Sequence, residues 1–212
     1  MGVRKIRNNK IKRAGFNLRI QAVIIDNWRF LAAICRVLSR EYGWGEKRLN
    51  RWVDEAAEYC TEFNEHDKDG IYREKLRQLE KENGNIITWE RVDKVVRANT
   101  TLTHPGEIKE ITDNLTLQLL MTVREFDGVG RERLIAGIEA LTREEIDKSP
   151  EYIKDKYGVE LDTSFQDYWQ VMKERRGVKE RVTYTEAKAA RASLDAFRKW
   201  SSENNKQGGK AL

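Results

Sequence analysis

Apolar residues recur every three or four positions along much of this chain, with charged residues filling the positions between them. One such series comprises Ile24, Trp28, Leu31, Cys35, Leu38 and Tyr42. The next comprises Leu49, Trp52, Ala56, Tyr59 and Phe63. This spacing places side chains on one face of an α-helix. The pattern therefore predicts two amphipathic helices, over residues 21–42 and 46–66, separated by a turn at residues 43–45.

A short motif in that turn occurs twice. Residues 43–49 read Gly-Trp-Gly-Glu-Lys-Arg-Leu, and residues 128–134 read Gly-Val-Gly-Arg-Glu-Arg-Leu. Apolar positions at helical spacing also surround the second copy: Ile108, Ile111, Leu115, Leu119, Thr122 and Phe126 before it, and Leu134, Ile138 and Leu141 after it. A glycine that follows a helix adopts the left-handed conformation without steric cost. Each copy therefore predicts a helix–turn–helix unit, with Gly43 left-handed and Trp44 and Val129 buried at equivalent positions.

Further signals of helix boundaries lie in the second half of the chain. Thr142 and Glu145 have the spacing of a capping box. Ser149 stands before Pro150, the order expected of a cap followed by proline at the first helical position. Gly137 lies inside a predicted helix, so its replacement by alanine is expected to be neutral or stabilising on helix propensity alone.

These patterns predict an all-α protein, a helical bundle that contains two degenerate helix-turn-helix hairpins and further C-terminal helices. The scarcity of proline, with two in the chain, agrees with this class. The expected organisation has six segments: a basic N-terminal arm (1–20), a first helical module (21–98), a linker (99–106), a second helical module that repeats the first (107–161), C-terminal helices (162–200) and a disordered tail (201–212).

The positive charge of the chain is concentrated at its beginning. Residues 1–20 contain no Asp or Glu but seven basic residues: Arg4, Lys5, Arg7, Lys10, Lys12, Arg13 and Arg19. The formal charge of the whole chain is +5, so residues 21–212 sum to −2 and are close to balanced. Mutual repulsion of the cations, together with Asn8, Asn9 and Gly15 as breakers, predicts a mobile arm unless a negatively charged partner binds it.

Signals of catalysis or metal binding are weak in this sequence. Two cysteines and two histidines do not have the short pair spacing of a zinc site. The Asp67-Lys68-Asp69-Gly70 turn has Leu76 where a calcium loop needs its final glutamate. We therefore expect no catalytic residue, no metal site, no cofactor and no enzymatic activity. No apolar run has the length of a membrane span, and a cytoplasmic protein without membrane contact is expected.

The first turn also fits the general pattern of a DNA-binding helix-turn-helix. In that arrangement Glu46, Lys47, Asn50 and Arg51 face outward, and the last three are plausible donors to bases and phosphates. The seven basic residues of the arm would then neutralise backbone phosphates. The alternative for the same turn is an ordinary helical hairpin that buries Trp44.

Residues 41–53 read Glu-Tyr-Gly-Trp-Gly-Glu-Lys-Arg-Leu-Asn-Arg-Trp-Val. This segment resembles one found in short phage and prophage proteins of Gram-positive bacteria, in which an acidic–aromatic–Gly–aromatic–Gly segment precedes basic residues and Arg-Leu. The resemblance continues weakly to residue 83 and covers about a quarter of the chain. Those proteins have no characterised function, so the resemblance implies a mobile-element origin and no site residue.

Two functional hypotheses follow. In the first, a non-enzymatic phage or mobile-element accessory protein binds DNA, RNA or a nucleoprotein through the basic arm, with a contribution from the helix-turn-helix. In the second, the chain is a protein–protein inhibitor of a host defence complex, similar in role to an anti-CRISPR protein, and tryptophans at its surface anchor the host protein. The sequence leaves the oligomeric state open.

Overall fold

The computed structural model describes residues 2–65 and 89–158, together with the isolated positions 78, 81, 188, 191–193, 195 and 196. Within residues 2–18, and at positions 20, 57, 60–65 and 89, the description covers the backbone alone. The helices in these ranges are α1 (Gly2–Tyr42), α2 (Glu46–Glu65), α3 (Trp89–Asn99), α4 (Pro105–Glu125), α5 (Arg131–Glu139), α6 (Arg143–Asp147) and α7 (Ser149–Tyr157). No strand occurs among the described residues, and the all-α class is confirmed.

Helix α1 begins much earlier than the sequence pattern predicted. Its 41 residues run from Gly2 without interruption to Tyr42, so Asn8, Asn9 and Gly15 do not break it. Helix α1 therefore includes residues 2–20, which the sequence analysis set apart as a basic arm. Isolated asparagine or glycine residues cost only about 1 kcal/mol or less each in a helix, which the surrounding helix-forming residues can offset.

The chain divides into two compact units. The terminal unit comprises Met1–Ile25 and Val182–Leu212, and the central unit comprises Asp26–Arg181. The predicted linker at 99–106 is thus a connection inside the central unit, not a boundary between two modules. Leu102 in this connection is buried, and the Thr100 hydroxyl donates a hydrogen bond to the Asp26 carboxylate, which ties the segment to α1. The predicted tail at 201–212 lies outside the described residues.

The core of the central unit surrounds α4, which packs against α2, α3 and α5. Both apolar and polar side chains of α4 are buried between residues 111 and 122. Threonine hydroxyls there donate to backbone carbonyls one turn earlier, as Thr116 does to Thr112 at 2.8 Å. Asn114 donates to Asn27 of α1 at 3.0 Å, and Trp52 of α2 donates its indole N–H to Thr122 at 2.7 Å. These hydrogen bonds offset the cost of enclosing the threonine and asparagine side chains of α4.

One of the two predicted caps in the second half is present. The Thr142 hydroxyl accepts from the backbone N–H of Glu145, and the Glu145 carboxylate accepts from the backbone N–H of Thr142, forming a capping box. This hydrogen bond from the Thr142 backbone lowers the pKa of Glu145. The prediction for Ser149 is wrong, because Ser149 is already helical and its hydroxyl donates to the Glu145 carbonyl.

Gly137 lies where α5 comes close to α1. A Cβ atom at this position would lie 2.6 Å from a methyl carbon of Val37, and Val37 is itself buried. The sequence-based expectation for alanine at this position is therefore reversed. Gly137→Ala should destabilise the protein by about 1–3 kcal/mol, the usual cost of overpacking. Thermal denaturation of G137A, V37A and the double variant checks this, because V37A should remove most of the G137A penalty. Additive losses would contradict the close approach.

Candidate nucleic-acid interface

The basic residues that the sequence singled out begin on the first turns of α1. Positions 4, 5, 7, 10, 12 and 13 belong to its helical backbone, and their side chains are outside the described part. Arg19, the last of the seven, is exposed. These positions therefore follow one another along a single helix.

The turn between α1 and α2 has the predicted geometry. Gly43 has φ +66°, in the left-handed region. The backbone N–H of Trp44 donates to the Leu38 carbonyl at 3.3 Å, and Gly45 accepts from the N–H of Leu49 at 3.1 Å as α2 begins. Trp44 is buried, with 4% of its surface exposed.

The second copy of the motif repeats this local geometry. Gly128 has φ +80°, and Gly130 accepts from the N–H of Leu134 at 2.9 Å as α5 begins. Val129 is 8% exposed, so it and Trp44 are both buried as predicted. The glycine and apolar positions of the two copies therefore match, but the second turn is longer, because α4 ends at Glu125 and Phe126 is extended before the motif.

The two turns pack against each other, and we call residues 41–48 together with 125–133 the turn pair. The rings of Trp44 and Phe126 lie 5.1 Å apart. Arg48 stacks 4.1 Å from the Trp44 ring and donates to the Asp127 carbonyl at 3.0 Å. Its counterpart in the second copy, Arg133, lies 4.8 Å from the Tyr42 ring.

Arg48 and Arg133 therefore have matching roles. Arg48 of the first turn contacts Asp127 of the second, and Arg133 of the second turn contacts Tyr42 of the first. Arg133 also pairs with Glu41, with 3.4 Å between Nη2 and Oε2. The Tyr42 hydroxyl donates to the Gly130 carbonyl at 2.9 Å. The shared Arg of the motif is thus explained by contacts inside the molecule, and the repeat by itself points to no external ligand.

The predicted recognition face of α2 does not concentrate positive charge. Lys47 is exposed, but Asn50 is only half-exposed. Arg51 pairs with Glu55 at 2.6 Å and lies 5.6 Å from the Phe126 ring. Three carboxylates, those of Glu46, Asp54 and Glu58, are exposed on the same helix. A surface of mixed sign is a poor match for a phosphate backbone, since the attraction to phosphate depends on an excess of cations.

A buried ion pair fixes the part of α1 that belongs to the central unit. Arg29 is 2% exposed and pairs with Asp26, which is completely buried. Arg29 also donates to the Asn99 carbonyl at 3.2 Å and pairs with Asp147 at the end of α6. This network joins α1 to the connection after α3 and to α6.

The two units carry opposite formal charge. The terminal unit contains thirteen Lys or Arg residues and three Asp or Glu residues, a net charge of +10. Since the whole chain is +5, the central unit carries −5. The expectation that the formal charge of residues 21–212 is close to balanced is therefore incomplete. It overlooked six basic residues close to the C-terminus: Lys188, Arg191, Arg198, Lys199, Lys206 and Lys210. Counting charge at both ends of the chain together would have revealed them.

No protein-family model, curated protein or solved structure matches this chain.

The described residues give little indication of metal binding or of a reactive thiol. Their His, Cys, Asp and Glu side chains form no group of three or more that could hold a metal ion. Cys35 is buried, and this burial raises the pKa of its thiol far above the ordinary value, which keeps it protonated. Within the described parts, no helix is long and apolar enough to cross a membrane.

The turn geometry gives a test with a matched control in each copy of the motif. Alanine at Gly43 or Gly128 must adopt positive φ, so each substitution should destabilise the protein by about 1 kcal/mol or more. Gly45 and Gly130 have no positive φ, and a Cβ atom there meets nothing within 4 Å. Alanine at these two positions should be close to neutral. Equal melting-temperature shifts within either pair would contradict the assigned turns.

Proposed function

We propose that this chain is a non-enzymatic accessory protein of a phage or mobile element that binds nucleic acid, free or in a nucleoprotein, through its terminal unit. The observation that carries this proposal is the net charge of +10 in that unit beside −5 in the central unit. Lys and Arg side chains that neutralise phosphates release condensed counterions, and this release drives binding without regard to base sequence.

The first stretch of the terminal unit suits this role particularly well. Residues 1–25 contain seven basic residues and no acidic residue. The acidic central unit, by contrast, would be repelled by phosphate. Contact through the terminal unit alone would therefore be favoured. The mobile-element origin, and with it the cytoplasm of a bacterial host, follows only from the resemblance of residues 41–53.

The inhibitor hypothesis receives less support. It expects tryptophan side chains at the surface as anchors for a host protein. Trp28, Trp44 and Trp52 are all buried. The three tryptophans whose side chains the structure describes therefore serve the core and the turn pair.

Fluorescence anisotropy of the full chain with mixed-sequence, labelled nucleic acid tests the proposal. We expect binding at about 50 mM salt that weakens steeply as salt rises, with a log–log slope of roughly −3 to −6, since each contact contributes about −0.9 on duplex DNA. Absence of binding at low salt would exclude this function. In that case a stoichiometric protein partner that survives nuclease treatment of a host lysate would favour the inhibitor hypothesis instead.

A further inference from the structure

We infer that the nucleic acid is B-form duplex DNA and that residues 2–20 of α1 lie in its major groove. This inference rests on the proposed function and names its substrate class. It depends on three features of these residues: an uninterrupted helical backbone, the placement of the basic positions around it, and the scarcity of aromatic residues.

The helix has suitable dimensions for this groove. An α-helix with its side chains is about 10–12 Å across, and the major groove of B-DNA is about 12 Å wide. The positions from Arg4 to Arg19 span about 22 Å at 1.5 Å per residue. This length corresponds to roughly six or seven base pairs at 3.4 Å each, which a straight helix can follow within one groove.

The basic positions surround the helix axis instead of forming one stripe. At about 100° per residue, the seven positions leave no gap wider than roughly 80° around the axis. A helix that rests on a flat anionic surface needs cations on one side only. Within a groove, phosphates flank the helix on both sides, so basic positions all round the axis suit a groove better than a flat surface.

The same features disfavour the other nucleic acids. The major groove of A-form RNA is deep and narrow, so a helix of this width does not enter it. Single strands are held largely by bases stacked on aromatic side chains. Residues 2–20, which carry the proposed contact, contain one aromatic residue, Phe16; the three other aromatic residues of the terminal unit, Tyr184, Phe197 and Trp200, lie in its C-terminal segment. A basic helix with so few stacking groups fits a duplex better than a single strand.

The test compares three labelled probes of the same mixed sequence: a DNA duplex of about 20 base pairs, the matching RNA duplex, and one DNA strand alone. Binding of the full chain is measured at equal salt. We expect the DNA duplex to bind at least about tenfold more tightly than the RNA duplex, because only the former admits the helix. Bulky glucosyl groups on cytosine in the major groove should weaken binding severalfold, whereas netropsin, which fills the minor groove, should leave it nearly unchanged.

The outcomes separate the inference from the proposed function. Equal or tighter binding of the RNA duplex or the single strand would overturn the duplex-DNA inference and leave nucleic-acid binding intact. Competition by netropsin without an effect of the glucosyl groups would overturn the groove assignment. Failure to bind any of the three probes would remove the proposed function itself.

Discussion

Replacement of Lys10, Lys12 and Arg13 by glutamine is expected to weaken binding to duplex DNA roughly 10- to 1000-fold at about 50 mM salt. If all three residues contact phosphates, the slope of log affinity against log salt should become shallower by up to about 2.7, or 0.9 for each lost contact. Glutamine has nearly the helix propensity of lysine and arginine, so α1 should keep its structure. Salt titrations of the parent and the triple variant by fluorescence anisotropy measure both effects.

A matched control comes from the acidic central unit. Lys47, Lys94 and Lys154 are exposed there, and the first of them lies on the predicted recognition face of α2. The triple glutamine variant of these residues removes the same formal charge from the chain. On the proposed function it should change the slope by less than about 1, because none of the three lies in the terminal unit. Similar losses in both triple variants would mean that total charge, and not the terminal unit, governs binding.

The largest expected effect on stability comes from Arg29→Ala. This change leaves Asp26 buried without its cationic partner, which should lower the free energy of unfolding by about 3–5 kcal/mol. Denaturant unfolding at neutral pH measures the loss. The control is Arg91→Ala: Arg91 pairs with Glu132 and Glu139, but its side chain is 30% exposed. Since such pairs contribute little in water, R91A should cost no more than about 1 kcal/mol.

A second variant keeps this prediction open to test if R29A does not fold. The double change Asp26→Leu with Arg29→Met replaces the buried pair by apolar side chains of comparable size and leaves no buried carboxylate behind. It should therefore be more stable than R29A. If R29A were as stable as R91A, or if the double variant were the least stable of the three, the buried network would not have the role that its contacts indicate.

The sequence was most informative where one short-range rule governs the structure. Alternation of apolar and charged residues placed α2 and the end of α1, because burial of one helix face dominates the energetics there. The left-handed Gly43 and the burial of Trp44 and Val129 followed from the repeated motif. The Thr142–Glu145 capping box is equally local, since both of its hydrogen bonds join residues three positions apart.

Features that depend on distant contacts could not be read from the pattern. Helix α4 looked amphipathic, yet Thr116 and Asn114 are buried along with its apolar face. Their hydrogen-bond partners, the Thr112 carbonyl and Asn27, become apparent only once the helices are packed. Gly137 looked replaceable because helix propensity takes no account of Val37, which is distant in sequence.

The basic residues of the proposed site could be found in the sequence by simple counting. The run of seven cations was evident from composition, and Arg19, the one whose side chain the structure describes, is exposed. The outward face of α2 was a weaker prediction, because helical spacing indicates which positions face outward but not that Glu55 pairs with Arg51. The contribution of the C-terminal cations required the two ends of the chain to be recognised as one unit.

Hydrogen–deuterium exchange of the full chain, with and without a saturating DNA duplex at low salt, tests the central claim most directly. It locates the contact on the backbone without altering any residue. We expect DNA to slow exchange in residues 2–25 and in 182–212, and to leave α2, Glu46–Glu65, unchanged. Protection confined to α2 and the turn pair, or no change anywhere at saturating DNA, would contradict the assignment of nucleic-acid binding to the terminal unit.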